Sequence, residues 1–300
     1  MRYHSSMSLL VHLPVIAAVA RHRSFAAAAA ELGLGASAVS HAVRVAEREL
    51  GMPLFARTTR SVALTEAGTQ FLARALPALG AIDEAASELR AARGKISGVL
   101  RINAPRIAGP LALRALMAQL AAKHPQLTVE VTSDDSLVDI VAGGYDAGVR
   151  LGEMIAEDMV AVRLTPPFKA IAVASPAYLQ RAGTPHTLAD LRKHNCIGYR
   201  LLRRGAVYAW EFLDKKATVA VAVDGSCRVS DPLFALDLAL DGVGIAYLFE
   251  PLARPYIDSG ALQWLLPSHA LPEPGLFLYF PCRAQQAPKL RALIDLIQAR

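Results

Sequence analysis

Residues 24–68 constrain the fold of this chain more than any other stretch. Two short helical patterns, at 25–32 and 36–50, are separated by a turn that contains Gly33 and Gly35. Glycine often ends a helix because it tolerates the left-handed backbone conformation, so we expect a sharp turn between the two helices. An Arg-Thr-Thr-Arg segment then follows the second helix. This order predicts a helix-turn-helix followed by a basic β-hairpin, or wing.

The second helix of this pair has one apolar face and one polar face. The inward positions are Val39, Val43, Ala46 and Leu50. The outward positions are Ser37, Ser40, His41, Arg44 and Arg48. Short polar side chains let a helix sit deep in the major groove of DNA, while Arg and His reach base edges or phosphates. An ordinary solvated helix face has the same composition, so this helix alone leaves both interpretations open.

The wing favours the interpretation as a nucleic-acid surface. Two guanidinium groups and two hydroxyls at 57–60 suit phosphate oxygens and the minor groove. Ser24 and Thr65 are expected to cap the helices that follow them, because their hydroxyls accept backbone N–H groups. The candidate DNA-binding residues are Ser24, Ser37, Ser40, His41, Arg44, Arg57, Thr58, Thr59 and Arg60.

Composition indicates a folded protein of two or three domains. Hydrophobic residues make up 53% and charged residues 19% of the 300 residues, which excludes a disordered chain. The formal net charge is +6, and the first 95 residues account for +4 of it, with 11 basic and 7 acidic side chains. A modest positive excess at the N-terminal end suits a polyanionic partner such as double-stranded DNA.

The sequence predicts no metal, no cofactor and no membrane partner. Cys196, Cys227 and Cys282 are far apart and form no ligand spacing, so we interpret them as small apolar side chains in a reducing cytoplasm. No apolar stretch approaches the length of a membrane span. The apolar segment Leu9–Ala20 is interpreted as an amphipathic helix rather than a secretion signal, and Met7 as an alternative start.

Residues 66–94 are expected to form one long helix that pairs two chains. Its apolar stripe, at three- and four-residue steps, consists of Leu72, Leu76, Leu79, Ile82, Ala86 and Leu89. A stripe of this kind is typical of a dimerisation seam, and the alternative is that it packs against its own chain. Pro77 lies inside the pattern and is expected to kink the helix, because proline removes one backbone hydrogen bond.

The rest of the chain, residues 95–300, is expected to form a two-lobed domain. Short apolar runs alternate with helical segments, among them a helix at 137–142, and this alternation predicts mostly parallel sheets covered by helices. The fold class is therefore α+β multidomain. The expected boundaries are 8–65 for the winged helix-turn-helix, 66–94 for the linker helix, about 98–165 and 270–300 for lobe I, and about 166–268 for lobe II, with crossings near 165–168 and 266–270.

Two lobes joined by two crossings enclose a cleft, and in parallel sheets ligands bind beyond the carboxyl ends of the strands. That rule selects loops at strand ends in both lobes. The candidate effector-binding residues in these loops are Asn103, Ala104, Pro105, Arg106, Ser133, Arg150, Tyr199, Ser230 and Gly244. Arg106 and Arg150 favour an anionic ligand slightly over a neutral or aromatic one, which stays open.

The motifs AVARHRSFAAAAAELG, SAVSHAVR, LGMPLFARTTR and LTEAG occur in order within residues 10–68. In this order and spacing they resemble the DNA-binding domain of the LysR-type transcriptional regulators. Gly35-Ala36 stands where the family usually has Ser-Gln, and His41 stands where Arg is common. The segments GVLRINAP, YDAGVRLG, DGVGIAYL and APKLRALIDL resemble the effector-binding domain of the same family, which is similar in fold to periplasmic binding proteins.

This resemblance covers roughly the whole chain. It implies a transcriptional regulator that responds to a small-molecule effector of unknown identity. It also implies a homodimer or a dimer of dimers on an inverted-repeat operator, working in a bacterial cytoplasm. We expect no enzymatic activity, because the eight histidines sit in no recognisable catalytic frame and no phosphate-binding loop occurs. The alternative is a small-molecule-binding protein or an enzyme with a non-regulatory DNA-binding module. A purely architectural DNA-binding protein would not need the cleft.

Overall fold

The computed structural model describes residues 3–57, 62–91, 95–156, 158–200, 206–282, 284 and 287–300. Within these ranges the chain forms a winged helix-turn-helix, one long helix and a two-lobed α/β domain. No helix in the described part of the chain is long and apolar enough to cross a membrane.

The N-terminal domain has the predicted order of elements. It consists of α1 (Tyr3–His22), α2 (Phe25–Leu32), α3 (Ala36–Leu50) and the antiparallel hairpin of β1 (Phe55–Arg57) and β2 (Val62–Leu64). Ser24 caps α2, because its hydroxyl accepts a hydrogen bond from the backbone N–H of Ala27 at 3.3 Å. Gly33 and Gly51, with φ of 64° and 69°, end α2 and α3 in the left-handed conformation. Local sequence therefore sets both ends of α2 and the end of α3.

The long helix α4 (Glu66–Ala91) begins against the base of the wing. The hydroxyl of Thr65 caps it by accepting the N–H of Gly68 at 2.9 Å, and donates to the carbonyl of Pro53 at 2.7 Å. A Cβ atom on Gly68 would lie 2.1 Å from the carbonyl oxygen of Leu54. Only glycine allows this close approach, so Gly68 fixes how the helix meets the hairpin.

The apolar stripe of α4 divides into two parts. Leu72 is fully buried in the core of the N-terminal domain, and Leu76 and Leu79 pack against the same core. Ile82 and Leu89 are 58% and 73% exposed. The expectation that the whole stripe faces a second chain is thus corrected, since its first half is needed to close the core of its own domain. The side chain of Ala86 lies outside the described residues.

The helix α4 runs through Pro77 without interruption, and it contacts the last helix of the chain.

The two-lobed domain begins at residue 98. Its first part consists of β3 (Gly98–Ala104), a π-helical turn (Gly109–Leu113), α5 (Arg114–Lys123), β4 (Leu127–Ser133), β5 (Ala147–Leu151), a 3-10 turn (Gly152–Met154) and β6 (Met159–Arg163). The middle part consists of β7 (Phe168–Ala174), α6 (Pro176–Ala182), a 3-10 helix (Leu188–Lys193), β8 (Gly198–Tyr199), β9 (Trp210–Asp214), β10 (Ala217–Val221), β11 (Arg228–Val229), α7 (Pro232–Leu240), β12 (Ala246–Phe249), α8 (Glu250–Asp258), β13 (Gln263–Leu265), a 3-10 turn (Pro267–His269) and β14 (Leu271–Glu273). The last part consists of β15 (Leu276–Pro281) and α9 (Pro288–Gln298).

Lobe I is a five-stranded sheet in the order β4-β3-β5-β15-β6. The first three strands are parallel, and β15 runs antiparallel to both of its neighbours. In lobe II the strands β12, β13 and β14 are all antiparallel to β7. The prediction of mostly parallel sheets therefore holds only for β4-β3-β5 and the short pair β8 and β11. Alternation of strands and helices along the sequence does not specify the direction of a strand that the chain enters from the other lobe. The strand β15, which follows the return from lobe II, is such a strand.

The predicted helix at 137–142 is wrong, because residues 137–139 have no regular secondary structure and residues 140–142 form a turn. One carboxylate oxygen of Asp139 accepts the N–H groups of Val141 and Ala142 at 2.9 and 3.0 Å. Gly144 follows with φ of 70°. The side chain thus satisfies the backbone locally, and the glycine ends the turn after one revolution.

The two crossings between the lobes lie side by side. The N–H of Leu164 donates to the carbonyl of Leu276 at 2.8 Å, and the N–H of Leu276 donates to the hydroxyl of Thr165 at 2.9 Å. Gly275 has φ of 92° and packs against the carbonyl of Thr165. The second crossing is at 274–275 rather than at 266–270, because β14 still pairs with β7 in lobe II.

Candidate nucleic-acid interface and interlobe cleft

The exposed face of α3 borders an open groove of about 710 Å³ at the base of the wing. The groove is lined by His41, Arg44, Glu47, Arg48, Gly51, Met52 and Pro53. The Nε–H of Arg44 donates to the carbonyl of Ser40, and that of Arg48 donates to the carbonyl of Arg44. These bonds lay both guanidinium groups along the helix surface, where they are exposed to solvent.

The acidic side chain in this groove has a structural role. Glu47 accepts the backbone N–H groups of Leu54 and Phe55 at 2.9 and 3.2 Å. Its carboxylate thereby holds the segment that enters the wing against α3. The positive charges of Arg44 and Arg48 are not paired with it, so the outer face of the groove is cationic and suited to phosphate oxygens.

The structure brings together only part of the predicted set. Ser37, His41 and Arg44 lie exposed along one face of α3, whereas Ser40 is half-buried and Ser24 is a helix cap. Arg57 ends β1, and its side chain is outside the described part of the structure, as are Thr58, Thr59 and Arg60. Arg48 belongs to the same face as Arg44 but was not selected as a candidate. The sequence signal for Arg48 was its spacing of four residues from Arg44, which places both side chains on one face of the helix.

A second group of charged residues joins the two lobes across the cleft. Arg106, after β3 in lobe I, has its backbone N–H bonded to Asp135 at 2.9 Å and its guanidinium paired with the same carboxylate at 2.5 Å. The guanidinium also donates to the carbonyl of Ser230 in lobe II at 3.3 Å and lies 3.8 Å from Asp231. The hydroxyl of Tyr199, in lobe II, donates to Asp135 at 3.1 Å.

These contacts form a bridge between lobes that we call the interlobe latch, made of Arg106, Asp135, Tyr199, Ser230 and Asp231. Burial by itself would lower the pKa of Arg106, but the hydrogen bond and charge of Asp135 outweigh it and raise that pKa. Burial raises the pKa of Tyr199, and the neighbouring Asp135 raises it further. Both groups therefore keep their protons at neutral pH, and both can donate to Asp135.

Arg150 lies deeper in lobe I, behind the loop that carries Asp135. Its guanidinium donates to the side-chain oxygen of Asn103 and the carbonyl of Ser136, both at 2.6 Å, and to the carbonyl of Asp134 at 3.3 Å. Burial lowers the pKa of Arg150, because a charged guanidinium loses its hydration there.

The remaining candidates occupy different positions. Ala104 pairs with Ser133 across the β3–β4 ladder, on the face of the sheet opposite to Asn103. Pro105 is half-buried in the turn that follows. A Cβ atom on Gly244 would lie 2.1 Å from the carbonyl oxygen of Asn195, so this glycine is a packing position and not part of the latch.

The sequence did not single out Asp135 or Asp231, although both lie in loops that the strand-end rule selected. Their acidic character was the available signal. It was not decisive, because surface loops commonly contain aspartate.

A helix-turn-helix with a cationic outer face, joined by a long helix to a bilobal α/β domain, defines a class of DNA-binding protein with an attached ligand-binding domain. The family description "Bacterial regulatory helix-turn-helix protein, lysR family" matches residues 10–69, and "LysR substrate binding domain" matches residues 93–300. The chain belongs to the LysR family of DNA-binding transcriptional regulators with an effector-binding domain.

Relatives and solved structures agree with this assignment. The HTH-type transcriptional regulator YcaN of Escherichia coli K12 is 39% identical over 281 residues, which are 94% of this chain and 92% of YcaN. CrgA, a LysR-type transcriptional regulator from Neisseria meningitidis, superposes with a TM-score of 0.59 at 26% identity and covers 95% of this chain and 98% of CrgA. Full-length LysG from Corynebacterium glutamicum, described with bound effector Arg, has a TM-score of 0.59 at 18% identity, covering 96% and 98% of the two chains.

Proposed function

We propose that this regulator docks α3 in the major groove of double-stranded DNA while its wing contacts the adjacent backbone or minor groove. The observation that carries the proposal is the line of His41, Arg44 and Arg48 on one exposed helix face beside the groove. Because Glu47 is occupied by backbone N–H groups, cationic side chains dominate this surface. Such a surface neutralises phosphates and releases their counterions.

The proposed control element is a small-molecule effector bound between the two lobes. The interlobe latch supports this, because a ligand in the cleft would compete with its contacts or complete them and thereby change the relation of the lobes. LysG, which shares the fold, is described with a bound effector. The latch already neutralises Arg106, so this arginine is a poor argument for an anionic effector.

The proposed working form is a homodimer, or a dimer of dimers, on an inverted repeat in the cytoplasm. The side chains of Ile82 and Leu89 on the second half of α4 are exposed and lie seven residues apart. This spacing supports pairing with another copy, because apolar side chains at heptad spacing form the seam between paired helices. Sedimentation equilibrium that reports a single-chain mass at micromolar concentration would overturn this part of the proposal.

The DNA-binding surface is tested by the salt dependence of affinity. Wild type, R44A and R192A are titrated with one genomic fragment, enriched by the wild-type protein, at several KCl concentrations. Arg192 is the matched control because it is exposed on the 3-10 helix Leu188–Lys193 of lobe II. We expect R44A to weaken binding and to reduce the slope of log K against log [KCl] by about 0.9 for each lost phosphate contact. An R44A slope equal to that of R192A and wild type would place the DNA elsewhere.

A further inference from the structure

The hairpin of β9 and β10 in lobe II leaves one edge of β10 open. Among the described residues β10 pairs with β9 alone, and residues 217–220 are exposed. The strand reads Ala-Thr-Val-Ala-Val, without a charge, a proline or a glycine. Natural proteins protect an exposed edge with charges, proline, a bulge or a covering element, because its free backbone groups pair readily with another strand. The edge of β10 has no such residue of its own.

The free backbone groups of this edge belong to Thr218 and Ala220. Lys215 and Lys216, with φ of 46° and 72°, form the two-residue turn between the strands. In such a hairpin the two residues that flank the turn exchange hydrogen bonds, and bonded pairs then alternate with unbonded pairs along the ladder. Thr218 and Ala220 occupy unbonded pairs, so their N–H and C=O groups point away from β9.

Two contacts of β9 agree with this assignment. Leu213 and Glu211 lie opposite the two residues with outward groups. The carbonyl of Leu213 accepts a hydrogen bond from Nδ1 of His269 at 3.0 Å, and the carbonyl of Glu211 accepts one from the hydroxyl of Tyr247. Both carbonyls therefore point away from β10, as unbonded pairs require. The same contacts hold β9 against lobe II, so the open edge belongs to an anchored hairpin.

The two ends of the edge carry opposite charges. Lys215 and Lys216 are exposed at the turn. Asp224, three residues beyond the other end of β10, has a side chain that is 84% exposed. Its Oδ1 accepts from Arg228 at 3.1 Å and from the N–H of Gly225 at 2.9 Å, while Oδ2 has no bonded partner in the described part of the chain. An antiparallel copy of this edge places its positive end beside the negative end.

We propose that the open edge of β10 pairs with the β10 edge of a second copy, antiparallel and about a two-fold axis at Ala220. Both copies contribute the same surface, so the contact closes after two chains. The outward N–H and C=O groups of the two Ala220 residues exchange hydrogen bonds. This inference rests on the proposed dimer and adds the surface through which two dimers join, because the exposed stripe of α4 is a separate surface.

One register satisfies both the backbone and the charges. Antiparallel pairing requires that residues with outward backbone groups face each other. The register centred on Ala220 meets this condition and brings Lys216 of each copy beside Asp224 of the other. The register centred on Val219 also meets it, but it places Asp214 against Asp224, and like charges on facing residues destabilise a ladder. The two-fold axis therefore passes through Ala220.

Cysteine cross-linking tests this register. Facing residues of a bonded antiparallel pair have Cα atoms about 5.5 Å apart, which is within reach of a disulfide. We expect A220C to form a disulfide-linked pair of chains under mild oxidation. The matched control is T218C, which lies four residues, about 14 Å, from its counterpart along the paired strand and should match wild type. Equal cross-linking of A220C and T218C, or none with A220C, would overturn the proposal.

Sedimentation equilibrium tests the assembly itself. The variant A220P removes an outward N–H group and leaves the bonds between β10 and β9 in place, since proline is tolerated on an edge strand. We expect wild type to reach a four-chain mass at micromolar concentration and A220P to stay at half that mass. A four-chain mass that A220P retains would contradict the pairing of these edges.

Charge reversal tests the ends of the ladder. K216E places two acidic side chains together and should halve the mass, while K216E/D224K restores opposite charges and should recover it. The matched control is K215E, because Lys215 faces Gly225 in this register and has no charged partner there. We expect K215E to keep the four-chain mass. Equal masses for K215E and K216E would refute the register.

The proposed dimer and the β10 pair fail separately in these measurements. A two-chain mass that is the same in wild type and A220P would remove the β10 pair and leave the dimer through α4 standing. A two-chain wild type that A220P converts to single chains would support the β10 pair and remove the pairing through α4.

Discussion

Glu31 on α2 lies 3.6 Å from Arg101 on β3, and this ion pair joins the DNA-binding domain to lobe I of the effector-binding domain. Glu31 also pairs with Arg21 at 2.6 Å and with His22, while Arg101 pairs with Glu130 at 2.8 Å. The five side chains form one network at the contact between the domains. A change in lobe I that displaces Arg101 would therefore alter the ion pairs of Glu31 on α2.

The substitution E31Q is expected to weaken this contact. Each pair is partly exposed, so its loss should lower the free energy of unfolding by no more than about 1 kcal/mol. The measurement is urea denaturation of wild type, E31Q and the control E49Q, which alters an exposed glutamate on α3. Small-angle scattering should show a larger radius of gyration for E31Q than for E49Q. Identical curves for the two variants would mean that the network does not hold the domains together.

The difference in the free energy of unfolding between wild type and E31Q is expected to depend on pH. Burial alone would raise the pKa of Glu31, but hydrogen bonds from Arg21 and His22 outweigh it and hold the pKa below the ordinary value of 4.5. A carboxyl group with a lowered pKa stabilises the fold above pH 4.5, and that contribution is lost as the pH falls through the lowered value. The stability difference between wild type and E31Q should thus be complete at pH 6 and shrink below pH 4.5. A difference that is constant down to pH 3 would contradict the assignment.

Two glycines on α4 should respond oppositely to substitution by alanine. A Cβ atom on Gly68 would meet the Leu54 carbonyl at 2.1 Å, whereas no described atom lies within 4 Å of a Cβ atom on Gly80. We expect G80A to stabilise the protein by about 0.5–1 kcal/mol, because alanine is the better helix former. We expect G68A to destabilise it by about 1–3 kcal/mol and to weaken DNA binding, since the wing must shift. Urea denaturation measures both changes, and a stabilised G68A protein would refute the close contact.

Substitutions in the interlobe latch should lower the free energy of unfolding, and the loss should grow with the number of latch contacts that are removed. Y199F removes one hydrogen bond to the Asp135 carboxylate and should cost about 1.5 kcal/mol, while D135N should cost more because it also leaves Arg106 without its nearest partner. Thermal unfolding of both variants measures the costs, and scattering measures any separation of the lobes. The control is Y256F, whose ring is partly exposed on α8. The latch would be refuted if Y199F and D135N behaved like Y256F.

Helix ends in this protein were predictable because the groups that make them are neighbours in the sequence. Ser24 caps α2 through a backbone N–H three residues away, and Gly33 ends the same helix. Asp231 and Pro232 begin α7 in the same way. The motifs of the DNA-binding domain are equally local, so the family and the outward face of α3 followed from residues 10–68 alone.

Tertiary structure alone decided which charges meet. Arg106 and Arg150 looked equivalent in the sequence, yet Arg106 is balanced by Asp135 and Asp231, while Arg150 is buried beside Asn103 without a carboxylate partner. Tertiary structure also decided the directions of the strands and the packing of the first half of α4 against the core of its own domain. The physical reason is that desolvation and ion pairing depend on distances between residues far apart in the sequence, such as Arg106 and Asp231, which are 125 positions apart. Local propensities carry no information about these distances.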